Sequence, residues 1–283
     1  MVRRVTRTVH GVEVPVFLYG TAWKEDETAR SVARALKAGF RGVDTANQRK
    51  HYHEAAVGDA LQAAYDAKAL TRDDLFLQTK FTYRRGQDAR LPYDPDADLT
   101  TQVQQSFNSS LSHLRTERID SYLLHGPSQH PGLGAADLEV WRAMEALHAA
   151  GKVRLLGVSN VTAQQLDQLC SGAKVQPAMV QNRCYATDGW DREVRAVCKA
   201  RNVVYQGFSL LTANQQALGH PDFLSVCGRA RATAAQVTFA LALRLGMVCL
   251  TGTTDKRHMA EDLAAVEVKL TDDDVKRLER LLG

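Results

Sequence analysis

IDSYLLHGPSQHPGLGAADLEVWRAMEALHAAGKVRLLGVS, residues 119–159, decides the fold. Its ends, IDSYLLH (119–125) and VRLLGVS (153–159), are near-continuous apolar runs. Runs of that kind read as strands buried on both faces, as in parallel sheets. Between them, AADLEVWRAMEALHAAG (135–151) carries apolar residues at helical spacing. A strand, a helix and a second parallel strand make one right-handed crossover unit.

Outward from this unit the pattern repeats. Six more apolar runs precede helical patterns: VFLY (16–19), RGVD (41–44), LFLQT (75–79), AMVQ (178–181), VVYQGF (203–208) and MVCLT (247–251). Eight strand–helix units predict an α/β fold closed into a (β/α)8 TIM barrel, a single domain over residues 1–283. RTVHGVEVPVF, with His10–Gly11 at its turn, predicts an N-terminal β-hairpin, and TDDDVKRLERLLG predicts an extra C-terminal helix. Gly39, Gly151 and Gly246 fall where helices stop, and Thr162 and Thr271 where they start. One long irregular insert, TYRRGQDARLPYDPDAD (82–98), follows the third barrel strand. A loop of that length on a rim points to function.

Bulk properties exclude several classes. Lys plus Arg number 36 against 32 acids, for a net charge of +4, and the densest basic spots, Arg3–Arg4, Arg84–Arg85 and Lys256–Arg257, form no stripe. That excludes a nucleic-acid face. No apolar run is long enough to cross a membrane, and the N-terminus has no apolar signal core. The five cysteines are odd in number, scattered and without a CxxC pair. A reducing, cytoplasmic location is therefore expected, with neither disulfides nor a thiolate metal site.

The strand ends carry the chemistry. VDTAN (43–47), LQTKF (77–81), YLLHGP (122–127) and LGVSN (156–160) place Asp44, Lys80, His125, Ser159 and Asn160 at successive C-terminal tips. In a closed barrel those tips converge on the catalytic rim. Asp44 and Lys80 keep each other ionised when buried, and a charged lysine beside a tyrosine lowers the phenol's pKa. Such a phenol donates a proton to a carbonyl oxygen, with His125 orienting that oxygen. Ser159, Asn160 and Gln181 suit a planar carboxamide, and the rings of Tyr205 and Phe208 suit stacking on another ring. The structural alternative is an ion pair, a core histidine and a helix cap, with the aromatic rings in the core.

At this point the chain resembles an aldo-keto reductase over essentially its whole length. The matching pieces occur in the family's order: HGVEVP with LYGTAW, GFRGVDTA, EAAVGDAL, FLQTK, SLSHLRTERIDSYLLHGP, GKVRLLGVSN, PAMVQN and TGTTDKRHMAEDL. The resemblance implies a β/α barrel that binds NADP(H) across the rim without a Rossmann glycine motif and reduces aldehydes and ketones. It implies Asp44, Lys80 and His125 as three of four catalytic residues. It also implies cofactor contacts from Gly20, Thr21, Ala22, Asp44, Ser159, Asn160 and Gln181. Further contacts would come from Tyr205, Phe208, Ser209, Leu210, Gly252, Thr253, Thr254, His258 and Asp262.

Three departures stand out. The family's tyrosine lies five residues after the aspartate, where this chain has Arg49. Aligned from the downstream EAAVG, Tyr52 is the available phenol, in a loop lengthened by two residues, with His51 as runner-up acid. The two basic anchors of the adenosine 2′-phosphate are replaced by Gly252 and His258. Lys256 and Arg257 stand nearby and can still hold a phosphate, so the resemblance favours NADP(H), though the lost anchors weaken that preference over the alternative NAD(H). The chain also stops at Gly283, soon after its last helix, which leaves Tyr83, Tyr93 and Arg90 of the 82–98 insert to cover the substrate. Trp23, Tyr52, His125, Tyr83 and Trp190 are the expected substrate walls. The partner is a small-molecule carbonyl compound, bound by a monomer or weak homo-oligomer.

Two rival readings remain at this stage. His51 and His53, with Asp44, Glu54 and His125, offer a metal-dependent barrel hydrolase, which leaves Lys80 without a role. A non-catalytic nicotinamide-nucleotide-binding subunit would explain the displaced tyrosine. Metal content separates the first, and carbonyl-dependent NADPH oxidation the second.

Overall fold

The computed structural model describes residues 5–283, so Arg3 and Arg4 lie outside the described residues. Eight parallel strands close into a barrel. They are β3 (Phe17–Gly20), β4 (Gly42–Asp44), β5 (Phe76–Phe81), β6 (Ile119–Leu124), β7 (Val153–Ser159), β8 (Met179–Arg183), β9 (Val204–Phe208) and β10 (Val248–Thr251). Each pairs with its sequence neighbour, and β10 returns to pair with β3. The predicted (β/α)8 architecture is therefore observed.

The predicted hairpin is also present, as β1 (Thr6–Val9) and β2 (Val12–Pro15). His10 and Gly11 both have positive φ, 46° and 76°, as a two-residue turn matched to strand twist requires. Val9, Val12 and Val14 pack with Leu18, Phe76, Leu155 and Val248 inside the barrel. The hairpin thus plugs the end opposite the strand tips. Val14 is 0 % exposed, and burial of one such side chain is worth roughly 1.5–3 kcal/mol. The larger core lies between barrel and helices, where Leu77, Phe81, Tyr122 and Leu124 meet Val57, Phe107 and Met144.

Helices follow the strands: α1 (Thr28–Ala38), α2 (Glu54–Asp66), α3 (Leu99–Leu114), α4 (Ala135–Ala149), α5 (Ala163–Gly172) and α6 (Arg192–Arg201). Thr162 accepts a hydrogen bond from the Gln165 N–H, and the Gln165 side chain answers the Thr162 N–H, a reciprocal cap at the predicted start of α5. The segment after β9 holds two helices the periodicity did not reveal, α7 (Gln215–Leu218) and α8 (Pro221–Ala230). α7 has only four residues, which weakens a periodic signal, while Pro221 at the first turn of α8 was a readable start. Then come α9 (Ala234–Arg244), α10 (Lys256–Ala264) and the expected terminal helix α11 (Asp272–Glu279), capped by Thr271. Among the described residues no helix is long and apolar enough to cross a membrane.

Candidate active site

Strand register brings the polar tips together. Asp44 ends β4 beside Gln78 of β5, and Lys80 follows two residues later on the same inward face. Lys80 Nζ donates to Asp44 Oδ1, to Asp44 Oδ2 and to the Thr45 carbonyl, each at 2.8 Å. Burial pulls the pKa of this lysine down, while the Asp44 charge and hydrogen bonds oppose the fall. Sequence reasoning placed Gln181 at the rim but missed Gln78 and Gln206 in the layer beneath Asp44. Gln78 Nε2 donates to Asp44 Oδ1 at 2.7 Å, and Gln181 Nε2 to the same oxygen at 2.9 Å. Gln206 Oε1 accepts from both amides, at 2.7 and 2.9 Å. These buried glutamines hold the carboxylate at a set height. Their signal was the alternation of 78 with 80 and of 206 with 208 on single strands.

The loop after β4 is pinned at several points. Asn47 Nδ2 donates to the Ser106 carbonyl at 2.9 Å, Gln48 Nε2 to that of Gly86 at 2.6 Å, and the Tyr52 N–H to that of Gln48 at 3.0 Å. Tyr52 reaches the cleft as expected, and Arg49 turns outward to Glu25 at 3.7 Å. The Tyr52 ring centre lies 5.3 Å from Lys80 Nζ and stands edge-on to His125 at 5.9 Å. Its hydroxyl makes no hydrogen bond to Lys80. The expected lowering of its pKa is absent: burial first, then Asp44, push the phenol's pKa up. Asp44 balances the Lys80 charge, so desolvation decides the sign.

His51, the runner-up acid, stacks on Trp23 with ring centres 3.9 Å apart, and burial and Lys50 pull its pKa down. His125 Nδ1 lies 2.7 Å from Thr82 Oγ1, and burial and Lys80 pull its pKa down to about 3. The ring is neutral throughout the ordinary pH range. Among the described residues no group of three His, Cys, Asp or Glu side chains is placed to hold a metal ion. Asp44 is committed to Lys80, and Glu54 accepts from Thr79 at 2.5 Å.

A cleft of about 220 Å³ opens over this cluster. Of the expected residues, Gly20, Ala22, Trp23, Asp44, Tyr52 and His125 line it. Ser159, Asn160, Gln181, Phe208, Ser209 and Gly252 line it as well. The Ser159 hydroxyl donates to the Gln181 carbonyl at 2.5 Å, and Asn160 Nδ2 donates to the His125 carbonyl at 2.8 Å. Gln181 Oε1 and Asn160 Oδ1 accept nothing from described residues, so they are the acceptors a carboxamide NH2 would meet. Phe208 offers a ring, and two cations the sequence reading had not placed, Lys24 and Arg183, share the cleft. Lys24 Nζ donates to the Gly252 carbonyl at 2.5 Å, and the Arg183 guanidinium lies 5.6 Å from the Phe208 ring centre. Free acceptors, an aromatic face and cations fit a dinucleotide with an amide at one end and phosphates behind it.

Other expected residues are turned away. Trp190 is 0 % exposed and donates through Nε1 to the Leu278 carbonyl, so it is core and not a substrate wall. Tyr205 points outward, since inward Gln206 adjoins it, and its hydroxyl donates to Asp191 at 2.8 Å. Leu210 is buried against Gly207. Thr21 is buried, and its hydroxyl donates to the Asp44 carbonyl at 3.0 Å, bracing that residue. Asp262 is buried and accepts from Thr251 Oγ1 at 2.7 Å; burial pushes its pKa up to about 6. Thr253, Thr254 and His258 lie on the rim beside the first turn of α10, outside the cleft lining.

The 82–98 insert does not lie over the cleft. Tyr93 is buried against Phe81 with its hydroxyl on the Thr82 carbonyl, and Arg90 pairs with Asp88. Tyr83 donates to Asp137 and lines a second recess of about 210 Å³ that shares His125 and Asn160 with the main cleft.

A closed parallel barrel with an ion pair, a phenol and a neutral imidazole gathered at its strand tips defines a rim-site barrel enzyme. The chain belongs to the aldo/keto reductase family: residues 17–282 match the model of that family. It is 27% identical over 277 residues to the uncharacterized oxidoreductase YtbE of Bacillus subtilis, covering 97% of this chain and 91% of that protein. It is 26% identical to the glyoxal reductase of the same bacterium, covering 96% of this chain and 90% of that protein. Among solved structures, an aldo-keto reductase (AKR2E5) complexed with NADPH superposes with a TM-score of 0.84 at 23% identity, over 100% of this chain and 89% of that one. At that identity the likeness is one of fold. The metal-hydrolase reading gives way to an NAD(P)H-dependent oxidoreductase.

Proposed function

We propose that this chain reduces a small, polar aldehyde or ketone with NADPH, Tyr52 giving the proton and His125 orienting the carbonyl. The observation that carries the reading is the convergence on one cleft of Tyr52, the buried Lys80–Asp44 pair and a neutral His125. When bound, NADPH supplies the hydride that reaches the carbonyl carbon. Gln181 and Asn160 would accept from its carboxamide, Phe208 would face its ring, and Lys24 and Arg183 would stand near its phosphates. Lys256 and Arg257, both exposed at the first turn of α10, would meet a 2′-phosphate.

His125 holds its proton at one ring nitrogen and donates it as a hydrogen bond to the carbonyl oxygen, where negative charge develops. Tyr52, kept protonated by burial, delivers the proton that completes the alcohol. Lys80 then stabilises the phenolate that remains. The recess shared by His125, with Gln48, Tyr83 and Arg85 on its walls, favours a compact polar substituent over an aromatic one. The resemblance to a glyoxal reductase supports the same class. Five unpaired cysteines support a reducing compartment, and a monomer or weak homo-oligomer remains the proposed state.

NADPH titration should quench the fluorescence of Trp23, which is 70 % exposed at the cleft. Short aldehydes and dicarbonyls should then drive NADPH oxidation. Saturable NADPH binding with no turnover on such a panel would favour the nucleotide-binding subunit. No response to millimolar NADPH or NADH would sink both readings.

A further inference from the structure

We propose that Thr82 is a positioning residue whose hydroxyl donates to His125 Nδ1 and so holds the imidazole in the Nε2–H form that faces substrate. This rests on the carbonyl-reductase reading given above. Register sets the contact: Phe81 of β5 pairs with Leu124 of β6, and Thr82 and His125 are the residues immediately after each strand. The His125 N–H donates to the Phe81 carbonyl at 2.9 Å, so the ladder continues to the residue that carries the ring.

Both partners are held from behind. The Thr82 carbonyl accepts from the Tyr93 hydroxyl at 2.8 Å and from Gln87 Nε2 at 3.4 Å. The His125 carbonyl accepts from Asn160 Nδ2 at 2.8 Å. Gly86 leaves room for the threonine methyl, since a Cβ there would come within 2.7 Å of Thr82 Cγ2. Thr82 is 5 % exposed, so its rotamer is set by packing. Through the Tyr93 contact the long insert braces the residue that in turn braces the histidine.

Hydrogen-bond accounting gives the direction. A hydroxyl has one hydrogen and two lone pairs, and a neutral imidazole has one N–H and one bare nitrogen. His125 Nδ1 is the only hydrogen-bond partner of Thr82 Oγ1 among the described residues. If the hydroxyl donates to Nδ1, its hydrogen is satisfied and the ring proton sits on Nε2. If Nδ1–H donates instead, the threonine hydrogen has no protein acceptor, and a bare Nε2 lone pair faces the carbonyl oxygen it should hold. An unmet buried donor is penalised, so the first arrangement prevails.

Nitrogen NMR of the whole protein reads the tautomer without any turnover. In the unmutated protein His125 should show a protonated Nε2 and a bare Nδ1 from pH 5 to 8. Thr82→Val, nearly the same shape, should lose the single-tautomer signature and lower single-turnover carbonyl reduction at least about tenfold, while NADPH affinity changes little. Thr82→Ser, which keeps the hydroxyl, should restore both the spectrum and the rate to near those of the unmutated protein. A protonated Nδ1 in the unmutated protein would overturn the proposal, and so would a Thr82→Val spectrum and rate equal to the parent's. If the protein reduces no carbonyl compound, the reductase reading fails while the tautomer result still stands on its own.

Discussion

Lys80 Nζ lies 5.3 Å from the centre of the Tyr52 ring, yet its hydrogen bonds run to the two Asp44 oxygens and the Thr45 carbonyl. The ammonium meets the aromatic face and not the hydroxyl. For Lys80 to stabilise a phenolate, one of its N–H groups must turn from Thr45 to Tyr52. That rearrangement separates the state seen here from the proposed proton-transfer state.

Removing the cation tests both roles of Lys80. The sequence alone favours a Lys80→Met variant that folds normally and does not turn over. The structure adds a stability cost, because Asp44 is left as a buried carboxylate without its counter-ion. Breaking one side of such a pair costs about 3–5 kcal/mol. Lys80→Met should therefore unfold at clearly lower urea concentration, and Lys80→Met with Asp44→Asn should recover part of the loss. Both should be inactive. Turnover near the parent rate in either variant would show that the pair takes no part in the chemistry.

Tyr52→Phe isolates the proton donor. It removes only a hydroxyl that makes no hydrogen bond to Lys80, so stability and NADPH affinity should hardly change. The rate constant kcat should fall by about 10²–10⁴-fold, the usual size of a lost general acid. His51→Gln should cost little, because His51 is engaged with Trp23 at the mouth. A large loss in His51→Gln with a mild one in Tyr52→Phe would move the acid to the histidine.

The pH profile follows from His125. Its pKa near 3 means that it binds no proton between pH 5 and 8. The ratio kcat/KM should show no inflection from this residue in that window, and His125→Gln should leave the shape of the profile unchanged while lowering its height. An inflection near pH 6.5 that His125→Gln abolishes would contradict a neutral imidazole.

Asp262 should make the fold weaker as pH rises. Its folded pKa of about 6 lies above its ordinary 3.8, so the native state holds the proton longer than the unfolded chain does. Stability from this group is fully present below about pH 4 and declines as pH rises through 6. Asp262→Asn removes the titration. Urea unfolding should show the variant gaining on the parent by up to about 3 kcal/mol between pH 4 and 8. A constant gap across that range would mean the carboxyl ionises normally.

The proposed cofactor preference rests on α10. Lys256→Ala and Arg257→Ala should each weaken NADPH binding and leave NADH binding nearly unchanged, by about 1.5–3 kcal/mol if a charge-assisted phosphate contact is lost. Equal affinity of the unmutated protein for the two cofactors would show that these side chains do not meet the phosphate.

The barrel was legible because its signals are local. Apolar runs such as LFLQT and VRLLGVS announce strands buried on both faces, and the caps at Thr162 and Thr271 need only the next few residues. Asp44, Lys80 and His125 were legible for the same reason: a polar residue ending an apolar strand is placed on the rim by the strand itself. The tertiary structure decided what lies beyond the strands. It turned Trp190 and Tyr205 into the core and Arg49 outward, and it carried Tyr52 to the cleft through contacts with Ser106 and Gly86, far along the chain. It also stacked Gln78, Gln181 and Gln206 beneath Asp44 and set Thr82 against His125. Periodicity fixes which face of a strand a side chain takes. The direction of a loop side chain, and the partner of a buried amide or hydroxyl, depend on groups that become neighbours only when the barrel closes.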